Sequence, residues 1–128
     1  MSYYFSAVLD CSFDDAITRV TDELKKEGFG ILSEIDVQAA LKKKLDVDFK
    51  KYTILGACNP PYAYQALQVE EKIGAMLPCN VIVLEKDNGQ VEVAGVDPIA
   101  SMQAIANPDL QDIALQIRAK LKKVIESL

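Results

Sequence analysis

An apolar, aromatic-rich run over residues 3–9 (YYFSAVL) stops at Asp10 and predicts a first strand. The period then changes. Phe13, Ala16, Ile17, Val20 and Leu24 recur at the i, i+3, i+4 spacing of one buried helical face. Ser12 is a good N-cap for that helix, and Asp14 and Asp15 place negative charge in its first turn. Gly28 ends it in the C′ position, where positive φ costs least. Residues 30–37 (GILSEIDV) read as a second strand, with Ile31, Ser33 and Ile35 on one side and Leu32, Glu34 and Asp36 on the other. A short helix over 38–45 (QAALKKKL) turns Ala40, Leu41 and Leu45 inward and its lysines outward.

A third strand, 52–58 (YTILGAC), runs into Cys58-Asn59-Pro60-Pro61. There Asn59 can cap a helix and Pro60 can take its first position, where the missing N–H would be unpaired anyway. This helix is expected to pass through Ala63, Ala66 and Leu67 to Ile73, with Gly74 near its end. Pro78 breaks the chain before 79–86 (CNVIVLEK), whose unbroken apolar centre predicts a central strand. Asn88-Gly89 signals a type I′ hairpin, with 91–96 (VEVAGV) as the returning strand. Asp97-Pro98 opens a short helix to Ala106. Asn107-Pro108 opens the last helix, with Leu110, Ile113, Ala114, Ile117, Leu121, Val124 and Leu128 along one stripe. The order β-α-β-α-β-α-β-β-α-α predicts a single α+β domain over 1–128, a two-layer sandwich. Its five-stranded sheet is partly antiparallel because of the tight hairpin, and helices pack on it.

Composition narrows the function more than it changes this architecture. Fourteen basic against nineteen acidic side chains leave a formal charge of -5, which argues against a dedicated nucleic-acid binder. No apolar run reaches the roughly 20 residues that span a membrane, and the start has no basic segment followed by an apolar core. Three cysteines without C-x-x-C spacing, and no histidine, speak against a disulfide framework and against a Cys/His zinc site. A reduced, cytoplasmic setting fits this pattern.

Five residues are candidates for a site. Cys58 ends a strand beside a helix N-terminus, where unpaired N–H groups favour a thiolate. A free cysteine is also commonly a small buried apolar residue, and without histidine the usual Cys-His pair cannot form. Cys79 sits just inside a strand and reads as buried; whether it meets Cys58 depends on strand directions. Glu34 and Asp36, two residues apart on one strand, point to one face, where paired acids can share a cation or do acid/base work. The plainer reading makes Asp36 the cap of the next helix and leaves Glu34 to solvent or to a lysine of 42–44. Asn59 would add a donor. Glycine-rich phosphate loops and the Gly-x-Ser-x-Gly elbow are absent.

The segments GFGILSEIDVQAALKKKL, YTILGACNPPYAYQAL, MLPCNVIVLE and GVDP, in this order, resemble the bacterial and archaeal family called domain of unknown function 302. The resemblance covers nearly the whole chain. It implies a compact α+β domain, often found alone, and a homodimer, and it brings no cofactor or catalytic residue with it. It groups Glu34, Asp36, Asn59, Pro60, Pro78 and Asp97 in family-like segments. The function expected is a homodimeric domain that binds a small molecule or ion near Glu34, Asp36, Cys58, Asn59 and Cys79. Two rivals stand beside it: a thiol-dependent redox protein or enzyme using Cys58, and a structural module dimerising through its final helix.

Overall fold

The computed structural model describes residues 2–128. It contains five strands, β1 (Tyr4–Leu9), β2 (Gly30–Asp36), β3 (Tyr52–Cys58), β4 (Cys79–Glu85) and β5 (Val91–Val96). The helices are α1 (Phe13–Lys26), α2 (Val37–Leu45), α3 (Pro60–Val69), α4 (Pro98–Ser101) and α5 (Pro108–Glu126), with a 3₁₀ segment over Glu71–Met76. The strands form one sheet in the order β1-β5-β4-β3-β2, and every neighbouring pair is antiparallel. The expectation of a partly antiparallel sheet is therefore met in full measure. The first two strands of the sequence lie at opposite edges, so α1 must cross the sheet to join them.

Directly paired residues share a face, so the register sorts the side chains. The rows Ala7–Val93–Val83–Thr53–Asp36 and Phe5–Gly95–Val81–Leu55–Glu34 look toward the helices, with Cys79–Ala57–Ile31 at one end. Val20 and Leu24 of α1, with Leu110, Ile117, Leu121 and Val124 of α5, cover these rows and complete the core. The opposite face carries the rows Ser6–Ala94–Ile82–Ile54–Ile35 and Val8–Glu92–Leu84–Tyr52. The stripe foreseen along α5 is thus consumed by the domain's own core, which leaves Leu115 as an exposed large apolar side chain of that helix.

Local structure departs from the sequence reading at several places. Leu45, expected to turn inward from α2, is 66% exposed, and α2 has no fully buried side chain. In β2 the pairing steps from Ile31↔Ala57 to Ser33↔Gly56, so Leu32 bulges out. That extra residue reverses the alternation beyond it. Glu34 and Asp36 share the helix-facing side with Ile31, and Ser33 and Ile35 take the other. The β4–β5 turn has positive φ at Gly89 (84°) and not at Asn88, with Lys86 N donating to Gln90 O at 2.7 Å. A type I′ turn needs positive φ at both central residues. This connection is a three-residue loop with glycine in the left-handed position. The helix after Pro60 ends at Val69, and the chain tightens into the 3₁₀ segment rather than running on to Ile73. Likewise α4 stops at Ser101, well short of Ala106.

Other local expectations hold in atomic detail. Ser12 Oγ accepts from Asp15 N, and Asp97 Oδ1 accepts from Ile99 N. Gly28, at φ 88°, follows the last residues of α1. Phe29 N donates to Leu24 O and Gly28 N to Lys25 O, the paired bonds of a Schellman motif.

Candidate functional site

Strand direction answers the first question about the cysteines. Because β3 and β4 are antiparallel neighbours with Ala57 opposite Cys79, the end of β3 and the start of β4 lie at the same edge of the sheet. Cys58 and Cys79 therefore come together there, and Asn59 follows directly. Glu34 and Asp36 do not join them. Their partners Leu55 and Thr53 lie three and five positions back along β3, so they stand roughly 10 and 17 Å from the cysteine end at strand spacing. Cys11, just beyond β1, is at the other end of the sheet. Asp36 Oδ1 accepts from Ala39 N at 2.9 Å and caps α2. Glu34 is exposed, and Lys42 pairs with Asp46 and Asp48 instead of with Glu34. Among the described residues no three His, Cys, Asp or Glu side chains are grouped so as to hold a metal ion.

The cysteine end of the sheet opens into a cavity of about 360 Å³. Its floor is Phe29, Ala57 and Cys79; α3 supplies Ala63, Ala66 and Leu67, and α5 supplies Leu110, Ile113 and Ile117. Leu32, the bulged residue, and Leu77-Pro78 stand at its rim, with Met102 behind them. No charged side chain lines it. Small residues on the facing surfaces keep it open, since Ala57, Ala63 and Ala66 fill only part of the space between sheet and helices.

Cys79 is buried, and burial pushes its thiol from the ordinary 9.0 up to about 11, with the neighbouring Cys58 adding to the rise. A thiolate in this apolar setting is disfavoured, so Cys79 presents a neutral S–H to the cavity at physiological pH. Asn59 is 7% exposed and does not act as foreseen. Although it occupies the N-cap position of α3, its side chain makes no capping bond there. Its Nδ2 instead donates to Glu27 O at 3.0 Å, tying the end of α1 to the start of α3. A Cβ at Gly28 would stand 3.2 Å from that same Nδ2, so glycine both takes the left-handed turn and makes room for the amide.

A tight contact holds the strand ends in place. A Cβ on Gly56 would collide with Ser33 Oγ and approach Pro78 Cγ to 2.8 Å. Glycine here lets the bulged edge strand and the segment entering β4 close on β3. Nearby, Asp97 Oδ2 accepts from Arg118 Nε at 3.1 Å, and the guanidinium lies 5.1 Å from the Phe5 ring centroid. Arg118 was not singled out from the sequence. Its signal is faint: it lies four residues after Ala114, on the shoulder of the α5 stripe.

The protein is thus an α+β domain with a wholly antiparallel five-stranded sheet, and the cavity at its strand ends has no charged side chain in its lining. The chain belongs to the family described as domain of unknown function DUF302, whose profile matches residues 5–128. It is similar to an uncharacterized protein of Aquifex aeolicus (strain VF5), with 27% identity over 81 residues. That match takes in 61% of this chain and 56% of the relative, so the chain spans just over half of that protein's length. It is also similar to an uncharacterized conserved DUF302 protein from Bacillus stearothermophilus, solved by crystallography. There the TM-score is 0.91 at 27% identity, with 98% of each chain covered.

Proposed function

We propose that this chain is a small-ligand-binding domain that works as a homodimer, with its site at the Cys58, Asn59 and Cys79 end of the sheet. The observation that carries the reading is the cavity of about 360 Å³ lined by apolar side chains and thiols. It falls in the ordinary size range of small-molecule sites. It is also roughly twice an engineered apolar cavity of about 150 Å³ that takes up benzene. The absence of charge from the lining selects an uncharged, largely apolar molecule over an ion, because a buried charge without a partner is costly. Glu34 and Asp36, which are not in the cavity lining, take no part in this reading. The free cysteines accord with a reducing, cytoplasmic setting.

The test is thermal unfolding with 1-pentanol and indole as probes, on the wild type and on Ala63→Phe, which fills the cavity from α3. Stabilisation of the wild type that disappears in Ala63→Phe supports the site, and Glu34→Gln should respond as the wild type does. An unchanged shift in Ala63→Phe would remove the cavity as the binding place. The rival reading, a reactive Cys58, lacks a base: the sequence has no histidine and the cavity lining has no lysine or arginine.

The homodimer rests on the open face of the sheet. Tyr4, Val8 and Ile35 are exposed there, Ile54 and Ile82 are half-buried, and Glu92 is the single charged side chain in the paired rows. Depletion of charge marks the core of an interface. Five strands at about 4.8 Å and six or seven residues at about 3.3 Å give a projected footprint of roughly 500 Å². Side-chain relief brings it toward the about 800 Å² per partner of a standard interface. A two-fold pairing of this face would make a sheet-on-sheet sandwich. Ile82→Lys should then yield a folded monomer in size-exclusion chromatography with light scattering. A wild type that is already monomeric at micromolar concentration would count against it.

A further inference from the structure

A second cavity, of about 290 Å³, adjoins the first. Met102 and Leu110 line both, so these two side chains form the partition between them. The outer chamber is walled by α4, the loop after it and the first turns of α5, and it too has no charged side chain in its lining. Its chemistry differs from that of the inner chamber. It adds three amides, Gln103, Asn107 and Gln111, to an otherwise apolar wall. Asn107 is committed elsewhere: its Nδ2 donates to Val69 O and to Glu70 Oε1, and its Oδ1 accepts from Asp109 N. Gln103 and Gln111, both exposed, are left to meet a ligand.

We infer that the two chambers take one elongated, uncharged amphiphile. Its apolar tail lies in the thiol-lined inner chamber, and its hydrogen-bonding end meets Gln103 and Gln111 in the outer one. The inference rests on the ligand-binding reading of the inner cavity and deepens it. Three observations carry it. The chambers share a wall of two side chains, and one of these, Met102, is an unbranched thioether with three rotatable bonds that repacks readily. The polar groups are segregated: in the inner chamber Asn59 spends its amide on Glu27 O, whereas the outer chamber offers two glutamines. Neither lining has a charge to neutralise a carboxylate or an ammonium, in a chain whose formal charge is -5.

The experiment measures binding of 1-pentanol, 1-decanol and decanoate by calorimetry, to the wild type, Leu115→Trp and Gln111→Trp. Leu115 is 54% exposed, so tryptophan there narrows the outer chamber without entering the core. Each methylene buried is worth about fourfold in affinity, so decanol should bind the wild type at least about a hundredfold more tightly than pentanol. Both tryptophan variants should lose about tenfold or more for decanol, the equivalent of two or three methylenes, and Leu115→Trp should keep the wild-type affinity for pentanol. Decanoate should bind more weakly than decanol. If pentanol binds but decanol gains nothing over it, or if the tryptophan variants bind decanol as the wild type does, the two-chamber ligand is refuted while the inner site stands. If decanoate binds better than decanol, the uncharged ligand is refuted. If neither alcohol binds, the inner site falls as well, and this inference with it.

Discussion

Replacing Asn59 separates two roles that its position in the sequence cannot distinguish. As an N-cap of α3 it would accept a hydrogen bond, and aspartate would serve as well or better: the two rank alike as caps, and a negative charge at a helix N-terminus adds about 0.3–1 kcal/mol. In the structure the side chain donates, Nδ2 to Glu27 O at 3.0 Å, and it is 7% exposed. Aspartate cannot donate, and it would hold a carboxylate against a carbonyl oxygen. Asn59→Ala removes a bond worth about 1 kcal/mol and leaves the Glu27 carbonyl without that donor, for a total near 2 kcal/mol. Asn59→Asp adds a poorly solvated, repelled charge and should cost about 3 kcal/mol. Set against a total stability of about 5–15 kcal/mol, either loss is large.

Urea unfolding of the wild type and both variants measures these differences directly, and a thermal scan should show about 4 °C for each kcal/mol. Gly28→Ala supplies a second arm. Alone it suffers both the left-handed backbone and the 3.2 Å approach to Nδ2, and in the Asn59→Ala background only the backbone cost remains. The cycle should therefore show coupling between positions 28 and 59. An Asn59→Asp variant as stable as the wild type, or a cycle that is additive, would refute the tether and restore the capping role.

Gly56→Ala should cost about 2 kcal/mol by overpacking against Ser33 Oγ and Pro78, and Ser33→Gly in the same chain should recover part of it in urea unfolding. The Cys79 thiol, raised by burial from 9.0 to about 11, gives a signed pH effect. Between those values the unfolded chain has lost the proton and the folded chain keeps it, so stability falls as pH rises through that window and is undiminished below it. The difference between wild type and Cys79→Ala should change by about 2–3 kcal/mol from pH 9 to pH 11, and a flat difference would contradict the assignment. Asp97→Asn keeps the cap to Ile99 N while weakening the Arg118 pair, and should cost less than about 1 kcal/mol because Arg118 is partly exposed. Asp97→Ala loses both and should cost about 2 kcal/mol, read by the same unfolding assay.

The sequence by itself determined the elements that depend on neighbours in the chain. Ser12, Gly28, Asp36 and Asp97 act where local chemistry places them, because a cap or a left-handed turn is settled within four or five residues. The apolar period of α1 and α5 likewise told which faces would be buried. Tertiary structure decided what depends on strands far apart in the chain. One inserted residue, Leu32, reversed the faces of Glu34 and Asp36, and only the pairing with β3 reveals such a bulge. Strand direction divided the five candidate residues into a cysteine end and a carboxylate end. The amide of Asn59, a capping residue by local rules, is drawn to Glu27 by packing across 32 residues of sequence. The cavity itself is a space between elements, bounded by alanines, leucines and isoleucines that differ in no local way from core residues. Its position follows from which side chains face one another across the layers, which pattern along a single chain does not record.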